Sequence, residues 1–144
     1  MKISTRGRYG VLAMIVLAEQ HGSGPTSIKE IVEQQGLSHS YLEQILGPLR
    51  RAGLVRSVRG PEGGYLLART PEEISVGDVL RVLEGPLVPV DCVEEEQNIQ
   101  QTCERQDACS ARQVWMSLKK SLTDVVDSIS LQDLIDGVEQ VQDE

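Results

Sequence analysis

The chain contains no phenylalanine, and aromatic residues supply only 3% of its 144 positions. A core must therefore rest on Leu, Val and Ile. Histidine is nearly as scarce: His21 and His39 are the only two. No Ser/His/Asp set, phosphate-binding loop or paired acidic dyad accompanies them, so an enzyme is not expected. Long apolar runs are missing too. The stretch Val11 to Ala18 is too short to span a bilayer and lacks the small-residue cleavage pattern of a signal peptide. The expectation is a chain outside the membrane, in a reducing cytoplasm. Cysteines number three, an odd count that argues against a disulfide framework. No internal repeat is present.

What the sequence does have is a sharp division of charge. The net charge of −8 would seem to exclude a polyanion partner. Residues 1–69, however, hold nine Lys and Arg against five Asp and Glu, a net of +4. Residues 70–144 hold five against seventeen, a net of −12. The pattern suggests a polyanion-binding half joined to an acidic half that faces something else.

Helix and strand signals follow the same division. Ser4 can cap a helix running to Gln20, with Val11, Leu12, Ile15, Val16 and Ala18 as its apolar face. Ser27 and Glu30 form a capping-box pattern that opens a short helix closed by Gly36. Ser38 starts a third helix through about Arg51, which Pro48 should bend. Strands are expected over Leu54–Val58 and Tyr65–Ala68, joined by a glycine-rich turn. Thr70–Glu73 resembles a helix start, but Ser75–Asp78 is stronger, and a helix is expected from Val76 to about Leu83. A loop rich in Pro, Glu and Gln spans about Leu87 to Gln106. A long helix follows from about Ala108 to Ser128, then a short one from Leu131 to Asp136.

The expected fold is mainly α with a small β-hairpin wing. It is a winged helix-turn-helix plus a long C-terminal dimerisation helix. Three parts are expected: residues 1–85 for DNA binding, residues 86–107 as a cysteine-bearing sensor loop, and residues 108–144 as dimerisation helix and acidic tail. In the long helix, Trp115, Leu118, Leu122, Val125 and Ile129 recur at spacings of 3, 4, 3 and 4. That is an a/d seam over two heptads, and a subunit interface is expected there.

Two constellations carry chemistry. The third helix would present Ser38, His39, Ser40, Tyr41, Glu43 and Gln44 to a major groove. Hydroxyls reach phosphates or bases, Glu accepts from the cytosine amino group, and Gln pairs with adenine. Arg50, Arg51 and the wing arginines Arg56 and Arg59 add positive charge, as do Arg6 and Arg8. An Arg at a glycine-rich tip such as Arg59-Gly60 can enter a minor groove. The second constellation is Cys92, Cys103 and Cys109, all within eighteen residues of polar loop composition. Clustered thiols of this kind can bind a soft metal or an iron–sulfur cluster, or undergo oxidation. Three unrelated thiols are the plainer alternative.

Several segments carry a family resemblance. These are Met1–Gly10, Ser40-Tyr41-Leu42-Glu43-Gln44-Ile45-Leu46, Leu49-Arg50-Arg51-Ala52-Gly53-Leu54-Val55, and Ser57 through Leu67 with its Arg59-Gly60-Pro61-Glu62-Gly63-Gly64-Tyr65 core. Together they resemble the IscR/NsrR/RirA/CymR family of bacterial winged-helix transcription regulators, from Met1 to about Ile129. The resemblance implies a repressor-type homodimer crossed through its long helices, binding a partly palindromic double-stranded DNA operator. It implies that Ser38, Ser40, Tyr41, Glu43 and Gln44 lie in the recognition helix, and that Arg59 reaches the minor groove. It also implies a 2Fe–2S or 4Fe–4S cluster on Cys92, Cys103 and Cys109 that controls operator affinity.

The cysteine pattern departs from the family in its spacing and in the fourth ligand. Ten residues separate Cys92 from Cys103, more than is usual, while five separate Cys103 from Cys109. Arg112 stands where the IscR type has a ligand His, and Arg8 where the NsrR type has a ligand Asp. Glu94 to Glu96, Glu104 and Asp107 are nearby carboxylates. The cluster-free CymR type of the family reports cysteine supply through a partner enzyme. Thiol oxidation, zinc or a cysteine-metabolism partner protein therefore stand as alternative inputs.

Overall fold

A computed structural model describes residues 2–93 and 110–142; of Cys92 and of residues beyond Gly137 it describes the backbone alone. Six α-helices and a two-stranded antiparallel hairpin make up the described chain: α1 (Thr5–Glu19), α2 (Ile28–Gln35), α3 (His39–Arg51), β1 (Val55–Val58), β2 (Gly64–Leu67), α4 (Val76–Glu84), α5 (Arg112–Ser128) and α6 (Leu131–Gln142). Single 3-10 turns lie at Pro71–Glu73 and Asp91–Val93. This is the winged helix-turn-helix order expected from the sequence.

Serines start the first four helices. Ser4, Ser27, Ser38 and Ser75 each accept a bond from the backbone amide three residues on, satisfying a donor that the helix leaves unpaired. The box expected at Ser27 and Glu30 forms only this half. Complete boxes stand elsewhere. Ser75 and Asp78 bond reciprocally at 3.0 Å, and so do Ser130 and Asp133. The second box anchors a final helix longer than expected. Leu134, Ile135, Val138 and Val141 keep the helical period past Asp136, and Gly137 does not break it. Pro48 likewise leaves α3 continuous to Arg51. The Thr70 signal yields only the 3-10 turn, because Ile74 returns to extended backbone.

One hydrophobic cluster joins α1, α2, α3, the wing, α4 and α6. Met14, Leu17, Ile31, Leu42, Ile45, Leu46, Leu49, Val79 and Leu131 are all buried in it. The inward face of α1 differs from the expected one. Ala13, Met14, Val16, Leu17 and Ala18 are buried, whereas Leu12 is 39% exposed. This helix is apolar nearly all round, so periodicity alone does not select its buried side.

The wing pairs Val55 with Leu67, Arg56 with Leu66, Ser57 with Tyr65 and Val58 with Gly64. A feature the sequence did not announce is a third piece of backbone beside it. Thr26, buried between α1 and α2, exchanges two 2.8 Å bonds with Tyr65. The approach is so close that a Cβ on Gly64 would lie 2.2 Å from the Thr26 carbonyl oxygen. Glycine is therefore required there. A second bridge, between Ser75 and Ser130, ties the start of α4 to the α5–α6 junction. Val76 donates to Ile129 at 2.8 Å and Leu131 donates to Ile74 at 2.9 Å.

Candidate nucleic-acid interface and cysteine segment

Amphipathic α3 sorts its residues into two roles. Leu42, Ile45, Leu46 and Leu49 are buried, which turns Ser40, Glu43 and Gln44 outward with Ser38 at the exposed cap. Tyr41 divides between core and surface. Its half-buried ring packs edge-on against Tyr9, with centroids 6.3 Å apart and planes at 84°. That contact fixes the first turn of α3 on α1. His39 Nε2 lies 3.4 Å from Glu43 Oε1, so the outward carboxylate already has a neighbour one turn back.

At the other end of α3, Arg50 Nη1 reaches Ser57 Oγ at 3.5 Å, a long contact that sets the last turn beside the wing. Arg56, Arg59 and Gly60 are exposed on the hairpin, and Gly60 takes a φ of +114° in the turn. Arg6 and Arg8 are exposed on the first turns of α1. The expected reading residues thus divide. Ser38, Ser40, Glu43, Gln44, Arg50, Arg59 and Gly60 are open to solvent, and Tyr41 is open only in part.

The cysteine segment is described only at its start. The backbone of Cys92 lies in the 3-10 turn Asp91–Val93, whose Val93 is buried. Lys119 on α5 donates to the Val93 carbonyl at 2.8 Å and holds this turn against the long helix. Cys103, Cys109, Glu94 to Glu96, Glu104 and Asp107 lie outside the described residues. Among the described residues no group of three or more His, Cys, Asp and Glu side chains is placed to hold a metal ion. Arg112 opens α5 and Arg8 is exposed on α1; a guanidinium at either position is no ligand.

On α5 the expected seam straddles the border between inside and outside. Trp115, Leu122 and Ile129 are half-buried, Leu122 against Leu80, Leu87 and Val126. Leu118 and Val125 are 48% and 55% exposed, and Val114, at 54%, extends their strip. Val126, absent from the seam as read, is the buried residue of this helix. Next to it, Asp127 pairs with Arg81 of α4 through bonds of 2.7 and 2.8 Å. The Asp127 carboxylate holds the Arg81 guanidinium's pKa above its ordinary value.

A helix-turn-helix with an exposed polar face, followed by an arginine-bearing wing and a long helix with an uncovered apolar strip, defines a winged-helix regulator of transcription. The Rrf2 family model, described as an iron-dependent transcriptional regulator, matches residues 3–137, and the chain belongs to this family. It is 47% identical over 134 residues to the HTH-type transcriptional regulator CymR of Bacillus subtilis, covering 93% of this chain and 89% of that protein. The solved structure of B. subtilis CymR, titled the global cysteine regulator, superposes with a TM-score of 0.75 at 46% identity over 93% of this chain and 95% of that one. IscR of T. potens does so with a TM-score of 0.76, also at 46% identity, over 99% of this chain and 91% of that one. The relatives are named as regulators, and this protein is a regulator rather than an enzyme. No helix among the described residues is long and apolar enough to cross a membrane.

Proposed function

We propose that the protein is a dimeric, repressor-type regulator that reads a two-fold operator with α3 and the wing. The observation that carries this is the pairing of an outward polar face on α3 with the exposed Arg59-Gly60 tip, linked through Arg50 and Ser57. Ser38, Ser40, Tyr41, Glu43 and Gln44 would meet base edges and phosphates, Arg50 a phosphate, and Arg59 the minor groove. The dimer would use the exposed strip of α5, so that two recognition helices meet two half-sites. Residues 1–85 would then be the reading part, residues 86–107 the sensing part and residues 108–144 the dimerising part. Selection from random duplex DNA tests this directly. Two-fold half-sites should be enriched, and Arg59→Ala should weaken binding to the selected site by about 1–3 kcal/mol. Failure to enrich any sequence, or equal affinity of the variant, would reject it.

For the input, we favour the cluster-free reading: a thiol switch, zinc or a cysteine-metabolism partner protein. Its support is the 47% identity to a relative whose structure is titled a cysteine regulator, together with arginines at both of the family's fourth-ligand positions. The second reading is an iron–sulfur cluster on Cys92, Cys103 and Cys109. Its support is the family description as iron-dependent and the likeness to IscR. Cys103 and Cys109 lie outside the described residues.

A further inference from the structure

Three of the five Lys and Arg in the acidic half converge on one cavity, and nothing in the reading of DNA uses them. The cavity, about 580 Å³, opens between the end of α4 and the middle of α5. Its apolar wall is Pro86, Leu87 and Met116, and its charged wall is Arg81, Lys119 and Lys120. The volume is that of a small-molecule site, and the mixture of apolar surface with a few polar groups is what such sites use for orientation.

We propose that this cavity binds a small amphipathic anion: one oxyanion group, carboxylate or phosphate, on a short apolar body. Residues 70–144 carry a net −12, yet among the described residues the cavity is lined by three cations and the one carboxylate of Asp124. Arg81 and Lys120 each have a partner and retain donors. Arg81 gives two bonds to Asp127, and a guanidinium has five N–H groups. Lys120 gives one to Asp124 at 2.7 Å from the exposed rim, and an ammonium has three. The apolar body would cover Met116, which is 45% exposed, and lie against buried Leu87. The position is also informative. The cavity shares Arg81 with the α4–α5 ion pair and Lys119 with the bond to Val93. If the protein regulates transcription as proposed, an anion that draws on these groups would bias the setting of α5 against the winged helix. The bias could reach only its differential affinity for the two settings.

The experiment uses the full chain and 1-anilinonaphthalene-8-sulfonate, itself an amphipathic anion, followed by fluorescence. Saturable binding of one probe per chain is expected. Octanoate or octyl phosphate should displace it, the stronger of the two identifying the oxyanion, while octanol at the same concentration should not. Met116→Glu should abolish binding; its exposure lets the variant fold, which an unchanged melting temperature checks. Lys120→Glu should weaken binding roughly threefold, the modest effect of an exposed charge. Leu12→Ser, at an exposed apolar residue of α1 outside the cavity, should leave it unchanged. No binding, displacement by octanol as strong as by the anions, survival of binding in Met116→Glu, or its loss in Leu12→Ser would each overturn the proposal. None of these readouts involves DNA, so their failure is distinct from failure of the operator reading.

Discussion

Gly77 on α4 faces Asp127 on α5 so closely that a Cβ at position 77 would stand 2.0 Å from the Asp127 Oδ1 atom. The same carboxylate holds Arg81, one turn further along α4. A methyl group at position 77 would displace the tip of the Asp127 side chain and part the ion pair. Gly77→Ala should lose about 0.5 kcal/mol with the pair, because both side chains are some 40% exposed and solvent screens it. Alanine's better helix propensity, about 1 kcal/mol, offsets that loss, so the variant should stay within about 1 kcal/mol of the parent. Asp127→Ala loses the pair without that gain and should be the less stable of the two. Urea denaturation of the two variants gives the comparison, and a loss above about 2 kcal/mol in Gly77→Ala would show that backbone, not the carboxylate, meets the new methyl group.

The wing offers a second test. Gly64→Ala would push a methyl group into the Thr26 carbonyl and part the Thr26–Tyr65 bonds. Destabilisation of about 2 kcal/mol or more is expected from backbone that has no room to give. Operator affinity should fall with it, since the hairpin carrying Arg59 would shift. An NMR spectrum showing Thr26 and Tyr65 amides unmoved in the variant would contradict this.

Assembly should depend on Leu118 more than on Leu122. Leu118 and Val125 are the exposed members of the α5 stripe, whereas Leu122 packs against Leu80, Leu87 and Val126 within the chain. Leu118→Asp should give a folded monomer by light scattering, with melting within about 0.5 kcal/mol of the parent. Leu122→Asp should instead lower stability by about 2–4 kcal/mol. A Leu118→Asp protein that stays dimeric would place the interface elsewhere.

The cysteines separate the two inputs. Anaerobic supply of iron and sulfide should leave the parent colourless if the thiol-switch or partner reading holds. A visible absorbance lost in each of Cys92→Ala, Cys103→Ala and Cys109→Ala would establish the cluster instead. Retention of the chromophore in Cys92→Ala alone would remove that residue from the ligand set, a sharp question given its long spacing to Cys103.

The reading elements were legible because each carries local chemistry. Serine caps mark where α1 to α4 begin, and the Gly-rich run from Gly60 to Gly64 marks the wing. Their sequence spacing is enough, since caps and turns act over three or four residues. Tertiary relations were less legible. The Thr26 bridge joins residues far apart, and no pattern around Thr26 announces it. The burial of Val126 and the pairing of Asp127 with Arg81, 46 positions away, come from the contact of α5 with α4, which heptad counting does not see. The exposure of Leu12 follows from an apolar helix whose neighbours, not its own period, choose its buried side.

The bridge between Ser75 and Ser130 closes the chain at the base of everything that lies between them, including the cysteine segment. Both ends of that excursion are fastened by their own capping boxes and by paired backbone. The entropy of closing such an excursion grows only with the logarithm of its length, so doubling it adds about 0.6 kcal/mol. By that measure a change in the length of the chain between the two boxes asks little of the closure itself. On the proposed reading, an architecture fastened in this way exchanges one cysteine segment for another while the setting of α3 and the wing stays the same.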